Sequence, residues 1–230
     1  MQKNRGKFIT LEGSEGSGKT TQVELLAQYI RDTHKEKVVC FREPGGTQIS
    51  EEIRSLFKDK VKSEGMCAET ELLLLQASRA QLVREKLVPA LNEGITVICD
   101  RFFHSTLFYQ GFARGLDPEL ITATTLFATN GLAPDLTLVL TLPLGQAMER
   151  IRIRSNLDRL EEETTVFFEK VQLGVEWLAA SKSPKVLVVN GDQTVQKVHR
   201  DISEGVASRL FPSVIFLPGT YEKKEITQDR

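Results

Sequence analysis

Five short apolar runs constrain the fold more than any other feature: KFITLE at 7–12, KVVCFRE at 37–43, ITVICD at 95–100, DLTLVLTL at 135–142 and KVLVVN at 185–190. They are rich in Val, Ile, Leu and Thr and show almost no polar alternation. That is the pattern of strands covered on both faces, as in a parallel sheet. Segments with helical spacing lie between them, at 19–33, about 48–59, 69–88, 117–129, 144–155, 161–181 and 194–209. Parallel neighbours need crossovers, so the alternation predicts an α/β fold, a doubly wound five-stranded parallel sheet with flanking helices. Pro89 is expected to kink or end the third helix. A chain of 230 residues can bury one sizeable core, and a single domain over 1–210 is expected. The period is lost over 211–230, whose last ten residues are expected to fray.

Lys plus Arg is 30 and Asp plus Glu is 31, for a net charge of −1. That balance gives no general attraction to nucleic acid or to an anionic membrane, so any anion site must arise from local clustering. Three cysteines, Cys40, Cys67 and Cys99, are too few and too scattered for a disulfide framework, and argue for free thiols in a reducing compartment. Cys40 and Cys99 sit in apolar runs, which points to packing. The amino-terminal apolar stretch is too short for a signal peptide, and no run approaches the ~20 residues of a membrane span. A cytoplasmic protein is expected.

The stretch LEGSEGSGKTTQ, 11–22, joins the first strand to the first helix and fits Gly-x4-Gly-Lys-Thr, the Walker A pattern. Its glycines let backbone N–H groups turn around an anion that also meets the positive end of the helix. Gly13, Ser14, Glu15, Gly16, Ser17, Gly18, Lys19, Thr20 and Thr21 are therefore candidates for holding a nucleoside triphosphate. Within this set Lys19 reaches the β and γ phosphates and Thr20 holds Mg²⁺. Glu15 is unusual there, because a carboxylate beside a triphosphate needs a donor; a sugar hydroxyl would serve, and a solvated loop carboxylate is the alternative. The Asp-x-x-Gly and Asn-Lys-x-Asp elements of a GTPase switch are absent from the sequence. Asp100 ends the third strand, where ligands of parallel sheets sit. It suits Mg²⁺ held through water, and Arg101 beside it suits a phosphate; a loop salt bridge is the plain alternative.

Arginines collect in RIRIRSNLDR at 150, 152, 154 and 159. Arg150 and Arg154 share a helical face, while Arg152 points away. The stretch at about 150–160 reads either as a mobile lid or as a solvated face paired with Glu149, Asp158 and Glu161–Glu163. In ETELLLLQASRAQLV, Leu72, Leu75, Arg79 and Leu82 recur at helical spacing, so Arg79 interrupts an apolar stripe. It needs either a ligand or a buried carboxylate.

Taken together, FITLEGSEGSGKTTQ, FREPGGT, EEIRSLF, ASRAQLV, CDRFFHSTLFYQG, NGLAPDLTLVL and RIRIRSNLDRLEEE resemble thymidylate kinases of the bacterial type, from about residue 6 to 209. The resemblance implies a P-loop NTPase-like fold with a mobile lid, and transfer of the γ-phosphoryl group of ATP to dTMP with Mg²⁺. It also implies a cytoplasmic homodimer with no nucleic-acid or membrane partner. By the resemblance, Glu15 meets the deoxyribose 3′-hydroxyl, Arg79 the thymine carbonyl, and Thr106 and Gln110 the base. Tyr109 crowds the sugar 2′ position, Arg54 and Arg101 hold the acceptor phosphate, and Glu43 lies near the acceptor and metal. Some family members carry an arginine at the position of Gly16 and lack one in the lid; here the lid arginines Arg150 and Arg154 are the candidates for stabilising the transferring group. Two departures stand out: Leu75 occupies the usual site of a thymine-stacking aromatic residue, and Phe102 replaces the usual tyrosine, which reads as packing. Leu75 leaves open a kinase of another pyrimidine monophosphate, and a nucleotide-binding regulator without turnover is the other alternative.

Overall fold

A computed structural model describes residues 5–153 and 157–212. Five parallel strands, β1 (Phe8–Glu12), β2 (Val38–Arg42), β3 (Thr96–Asp100), β4 (Leu136–Thr141) and β5 (Val186–Asn190), form one sheet in the order β2-β3-β1-β4-β5. All five expected runs are strands, and β1 lies at the centre. The chain winds first to one side of β1 and then to the other, as a doubly wound α/β fold does.

The apolar runs conceal an alternation that only packing reveals. Ile9 and Leu11 of β1, Ile98 of β3 and Leu136, Leu138 and Leu140 of β4 face one layer, together with Val23, Leu26 and Ile30 of α1 (Lys19–His34) and Ile202 and Val206 of α9 (Val195–Leu210). Phe8, Val97 and Cys99 face the opposite layer, against Leu82, Leu87, Leu91 and Phe102. Val139 meets Phe108, Phe168 and Val171 on that same side. Each central strand thus buries both faces at period two, so no position is free to be polar without a partner. Thr10 and Thr137, register partners on β1 and β4, pair through a 3.1 Å hydroxyl bond. The edge strands differ: β2 and β5 keep several positions exposed, and Cys40 on β2 is exposed rather than packed. Cys99 is fully buried, as expected.

The remaining helices are α2 (Gln48–Lys58), α3 (Ala68–Leu82), α4 (Val88–Asn92), α5 (Phe103–Thr106), α6 (Pro118–Thr129), α7 (Leu144–Arg152) and α8 (Thr165–Ala179). Two departures from the sequence pattern are informative. Pro89 does not end the helix that begins with α3. The coil widens at Val83–Leu87 into a π turn, with the Val88 N–H bonded to the Val83 carbonyl, and this widening lets the helix continue as α4 although Pro89 has no N–H to give. A second π segment, Leu107–Ala113, extends α5 in a stretch that carried no helical expectation. Side chains cap α2 (Thr47), α6 (Asp117), α8 (Thr164) and α9 (Thr194), whereas α1 has no side-chain cap and no acidic residue in its first turn. Its first N–H groups thus have no capping side chain and no acidic neighbour in the first turn. Among the described residues no helix is long and apolar enough to cross a membrane. The expectation of fraying concerns 221–230, which lie outside the described residues.

Leu138 is fully buried in the central layer and Val61 is 81 % exposed. Leu138→Ala is expected to lower the unfolding free energy by about 3 kcal/mol. Val61→Ala is expected to change it by less than about 0.5 kcal/mol. Urea denaturation followed by circular dichroism checks both.

Candidate active site

The carboxyl ends of β1 and β3 open into a cleft of about 370 Å³. The loop 13–18 leaves β1 and turns straight into α1. At Gly13, with φ 147°, a Cβ would stand 2.4 Å from the Leu140 carbonyl, so only glycine lets the loop leave the strand against β4. Gly16 (φ 73°) lies under α7, where a Cβ would stand 3.2 Å from both the Ala147 carbonyl and the Arg150 Cβ. The bare backbone at Gly16 allows Arg150 Nη1 to donate to the Gly16 carbonyl at 2.9 Å.

Lys19 is buried and folds back over the loop, donating to the carbonyls of Ser14 (2.7 Å) and Gly13 (3.1 Å) and to Ser17 Oγ (3.3 Å). Burial, reinforced by the nearby Arg101 charge, pushes the Lys19 ammonium down to about 8. Arg101 follows β3 in the left-handed region (φ 70°), a costly conformation for a long side chain and one that clusters at functional sites. From there its guanidinium donates to the Gly13 carbonyl (3.1 Å), Glu15 Oε1 (2.6 Å), Ser105 Oγ (3.1 Å) and the Tyr109 hydroxyl (3.3 Å). Burial opposes its charge, but Glu15, Asp100 and Glu12 more than restore it. Tyr109 also donates to Glu15 at 3.2 Å, and burial with that carboxylate raises the phenol and keeps it protonated. The loop carboxylate therefore has the donors it needs. Thr20 Oγ1 donates to Asp100 Oδ2 at 2.6 Å, joining the start of α1 to the end of β3. Thr21 lines the same cleft, whereas Ser14, within the loop, is buried.

Glu12, the last residue of β1, escaped the sequence reading, although the strand-end rule that singled out Asp100 applies equally to it. It is fully buried and accepts from the Phe102 N–H (2.9 Å) and Ser105 Oγ (2.6 Å). Burial pushes its carboxyl up to about 7 against those bonds and the Arg101 charge. His104 Nδ1 stands 4.0 Å from Glu12, but burial and Arg79 push this imidazole down to about 4. The two are not an ion pair near neutral pH.

Farther along the cleft, Arg79 has its buried carboxylate: Nε donates to Glu43 Oε2 at 2.8 Å and Nη2 lies 2.6 Å from the same oxygen. Nη1 donates to Gln76 Oε1 (2.8 Å) and Thr106 Oγ1 (3.0 Å), and Nη2 to the Phe102 carbonyl (3.3 Å). Burial raises the Glu43 carboxyl even so, and its other oxygen is unpartnered. Leu75 and Phe57 supply apolar wall, and Arg54, whose Nη1 donates to the Pro44 carbonyl (2.7 Å), borders the same space. Phe102 is fully buried and packs edge-on against Phe8, at 5.0 Å between ring centres, which fits a packing role. Gln110 is buried in this wall, with its amide donating to Glu71 and its carbonyl oxygen unpartnered.

The arginine-rich stretch divides. Arg150 reaches the loop; Arg154 lies outside the described residues. Arg159 turns away from the loop, donating to Glu71 Oε2 (2.6 Å) and the Phe57 carbonyl (3.2 Å). Lys58 pairs with Asp158 at 2.5 Å, and Arg114 with Glu163 at 2.5 Å, so the segment 158–163 is tied to α2, α3 and the end of the second π segment. Glu71, the hub of these bonds, precedes Leu75, Arg79 and Leu82 at helical spacing, a signal that passed unread.

A family model described as thymidylate kinase matches residues 11–202. The chain belongs to the thymidylate kinase family. Thymidylate kinase of Carboxydothermus hydrogenoformans is 42 % identical over 198 residues, covering 86 % of this chain and 95 % of that protein. Thymidylate kinase of Kosmotoga olearia is 42 % identical over 196 residues, 85 % of this chain and 92 % of the relative. That of Geobacter sulfurreducens is 40 % identical over 211 residues, 89 % and 98 % respectively. Family membership places the observed sheet among P-loop NTPase folds.

The raised Glu12 carboxyl has a consequence for stability. A folded-state value near 7 against about 4.5 unfolded means that the folded protein binds the extra proton, so the Glu12 contribution to stability is fully present below 4.5 and is lost as pH rises through 7. The loss is of order 3 kcal/mol, and Glu12→Gln is expected to flatten that decline. Urea midpoints of the two proteins between pH 4.5 and 8 check it.

Proposed function

We propose that this chain transfers the γ-phosphoryl group of ATP to dTMP, giving dTDP and ADP. The observation that carries the reading is one continuous cleft with two chemically different ends. At one end stand the glycine loop, Lys19, Arg101 and Arg150; at the other, Leu75, Arg79, Thr106 and Gln110. The first end suits a polyphosphate, the second a flat polar base. Family membership supports the same reading, since the relatives are named thymidylate kinases.

The acceptor is a phosphate monoester whose second pKa is about 6, so it is already a nucleophile at neutral pH and needs no general base. The obstacle is bringing two polyanions together, at roughly 4 kcal/mol per pair of charges 4 Å apart in a surface-like dielectric. Lys19 and the α1 N-terminus hold the donor phosphates, Arg54 and Arg101 the acceptor phosphate. Arg150, joined by Arg154, follows charge onto the transferring group. Glu15 takes the 3′-hydroxyl, and the Tyr109 ring, fixed by Arg101 and Glu15, fills the space that a 2′-hydroxyl would need. A thymine carbonyl at Arg79 competes with the neutral acceptors Gln76 and Thr106, not with the charged Glu43, which is the stronger partner. The unpartnered Gln110 carbonyl suits the N3–H of thymine. The Thr20 hydroxyl and the Asp100 carboxylate are hard oxygen donors side by side, which fits Mg²⁺ held by Thr20 directly and by Asp100 through water. When bound, the ion neutralises phosphate charge. Residues 1–210 then act as one catalytic unit with a lid at about 150–160. The exposed Leu73 on α3 and Leu126 and Phe127 on α6 offer an apolar surface for a cytoplasmic homodimer.

Purified protein with ATP is expected to release ADP only when dTMP is added, and more slowly with dUMP or a ribonucleotide. Release indifferent to the acceptor would overturn the reading. Lys19→Ala is expected to keep the fold, by circular dichroism, and to lose at least about 10³-fold in kcat.

A further inference from the structure

Gln110 is an amide, and either end of it can face a ligand. Which end does so is set by its neighbours. In this protein the neighbour is Glu71, a residue 1 % exposed whose two oxygens accept four hydrogen bonds. Oε1 takes Gln110 Nε2 (2.6 Å) and Arg114 Nε (3.3 Å), while Oε2 takes Arg114 Nη2 (3.2 Å) and Arg159 Nη2 (2.6 Å). With cationic donors on both oxygens, the carboxylate has only acceptors to offer. It therefore binds the NH₂ end of Gln110 and turns the carbonyl end away. That carbonyl oxygen is buried, has no protein donor, and belongs to a residue lining the cleft.

From this arrangement we infer that Glu71 is a positioning residue that sets base specificity by locking the Gln110 amide with its carbonyl toward the base. The inference rests on the reading that this end of the cleft takes a pyrimidine. A locked acceptor pairs with a base whose N3 carries a proton, as in thymine and uracil. It faces a lone pair in cytosine, whose N3 is itself an acceptor, and two acceptors brought together without water are rejected strongly. Arg114 and Arg159 contribute by holding Glu71 in place through their bonds to both of its oxygens. Arg159 lies at the end of the arginine-rich stretch, so the carboxyl end of that stretch helps hold the reader of the base.

Glu71→Gln makes a specific reversal. The new side chain keeps one acceptor oxygen, and the arginines claim it. Its NH₂ then faces Gln110, whose carbonyl turns inward to accept, leaving the Gln110 NH₂ toward the base. That end donates to cytosine N3 and opposes thymine N3–H. In the test, kcat/KM is measured with ATP for dTMP and dCMP, in wild-type protein and in Glu71→Gln. The wild type is expected to prefer dTMP. In the variant the preference is expected to fall at least about tenfold, with kcat/KM for dCMP rising in absolute terms while KM for ATP is unchanged. A merely structural loss would lower both acceptors together, and that result overturns the inference. An unaltered ratio overturns it as well. Should Glu71→Gln fail to fold, Gln110→Leu removes both ends of the amide. It is expected to lower kcat/KM for dTMP with the dTMP/dCMP ratio reduced, and an unchanged ratio there overturns the inference. A wild type without dTMP-dependent turnover removes the underlying functional reading and the inference with it, whereas normal dTMP turnover with an unmoved ratio removes only the inference.

Discussion

Two positive charges buried side by side dominate this structure. Lys19 and Arg101 donate to the same carbonyl, that of Gly13, and the Arg101 charge lowers the tendency of Lys19 to hold its proton. Such an arrangement survives in a folded protein only when acceptors surround it. Glu12, Glu15 and Asp100 supply them, and all three stand at or just beyond the carboxyl ends of β1 and β3. The parallel sheet, with β1 between β3 and β4, is what brings these ends together. The fold and the charge cluster are thus one problem with one solution.

The same logic repeats along the cleft with diminishing charge. Arg79 against Glu43 is a lone buried pair, and Gln110 against Glu71 is an amide held by a carboxylate. Moving from the loop to the far wall, the groups pass from cations to a paired ion to a neutral amide. A ligand charged at one end and nearly neutral at the other matches that gradient. The second π segment contributes directly, since Tyr109 and Gln110 both project from its widened turn.

Much of this was legible in the residues. The five strands followed from composition and run length, because strands covered on both faces leave little freedom in residue choice. The glycine loop followed from spacing alone, as did Asp100 and Arg101 at a strand end. What sequence could not give was the partner of each charge. Arg79 had to have either a ligand or a carboxylate, and only the crossing of β2's end with α3 selects Glu43. Arg159 read as one more member of a basic lid until its contact with Glu71 placed it on the other wall. Pro89 reads as a kink or an end, and a local rule cannot choose between those and the widened turn that lets the helix run on. Glu12 was hidden by its position inside an apolar run, where a carboxylate looks like a boundary rather than a buried anchor.

At Gly16 the loop meets α7. The helix rests on the loop so closely that a Cβ at position 16, already strained by its positive φ, would stand 3.2 Å from the Ala147 carbonyl and from Arg150 Cβ. A side chain there would crowd the same narrow space in which Arg150 donates to the Gly16 carbonyl. Replacing Gly16 thus asks for a strained backbone and a small shift of α7 together, which couples the identity of one loop residue to the seating of the helix that carries Arg150.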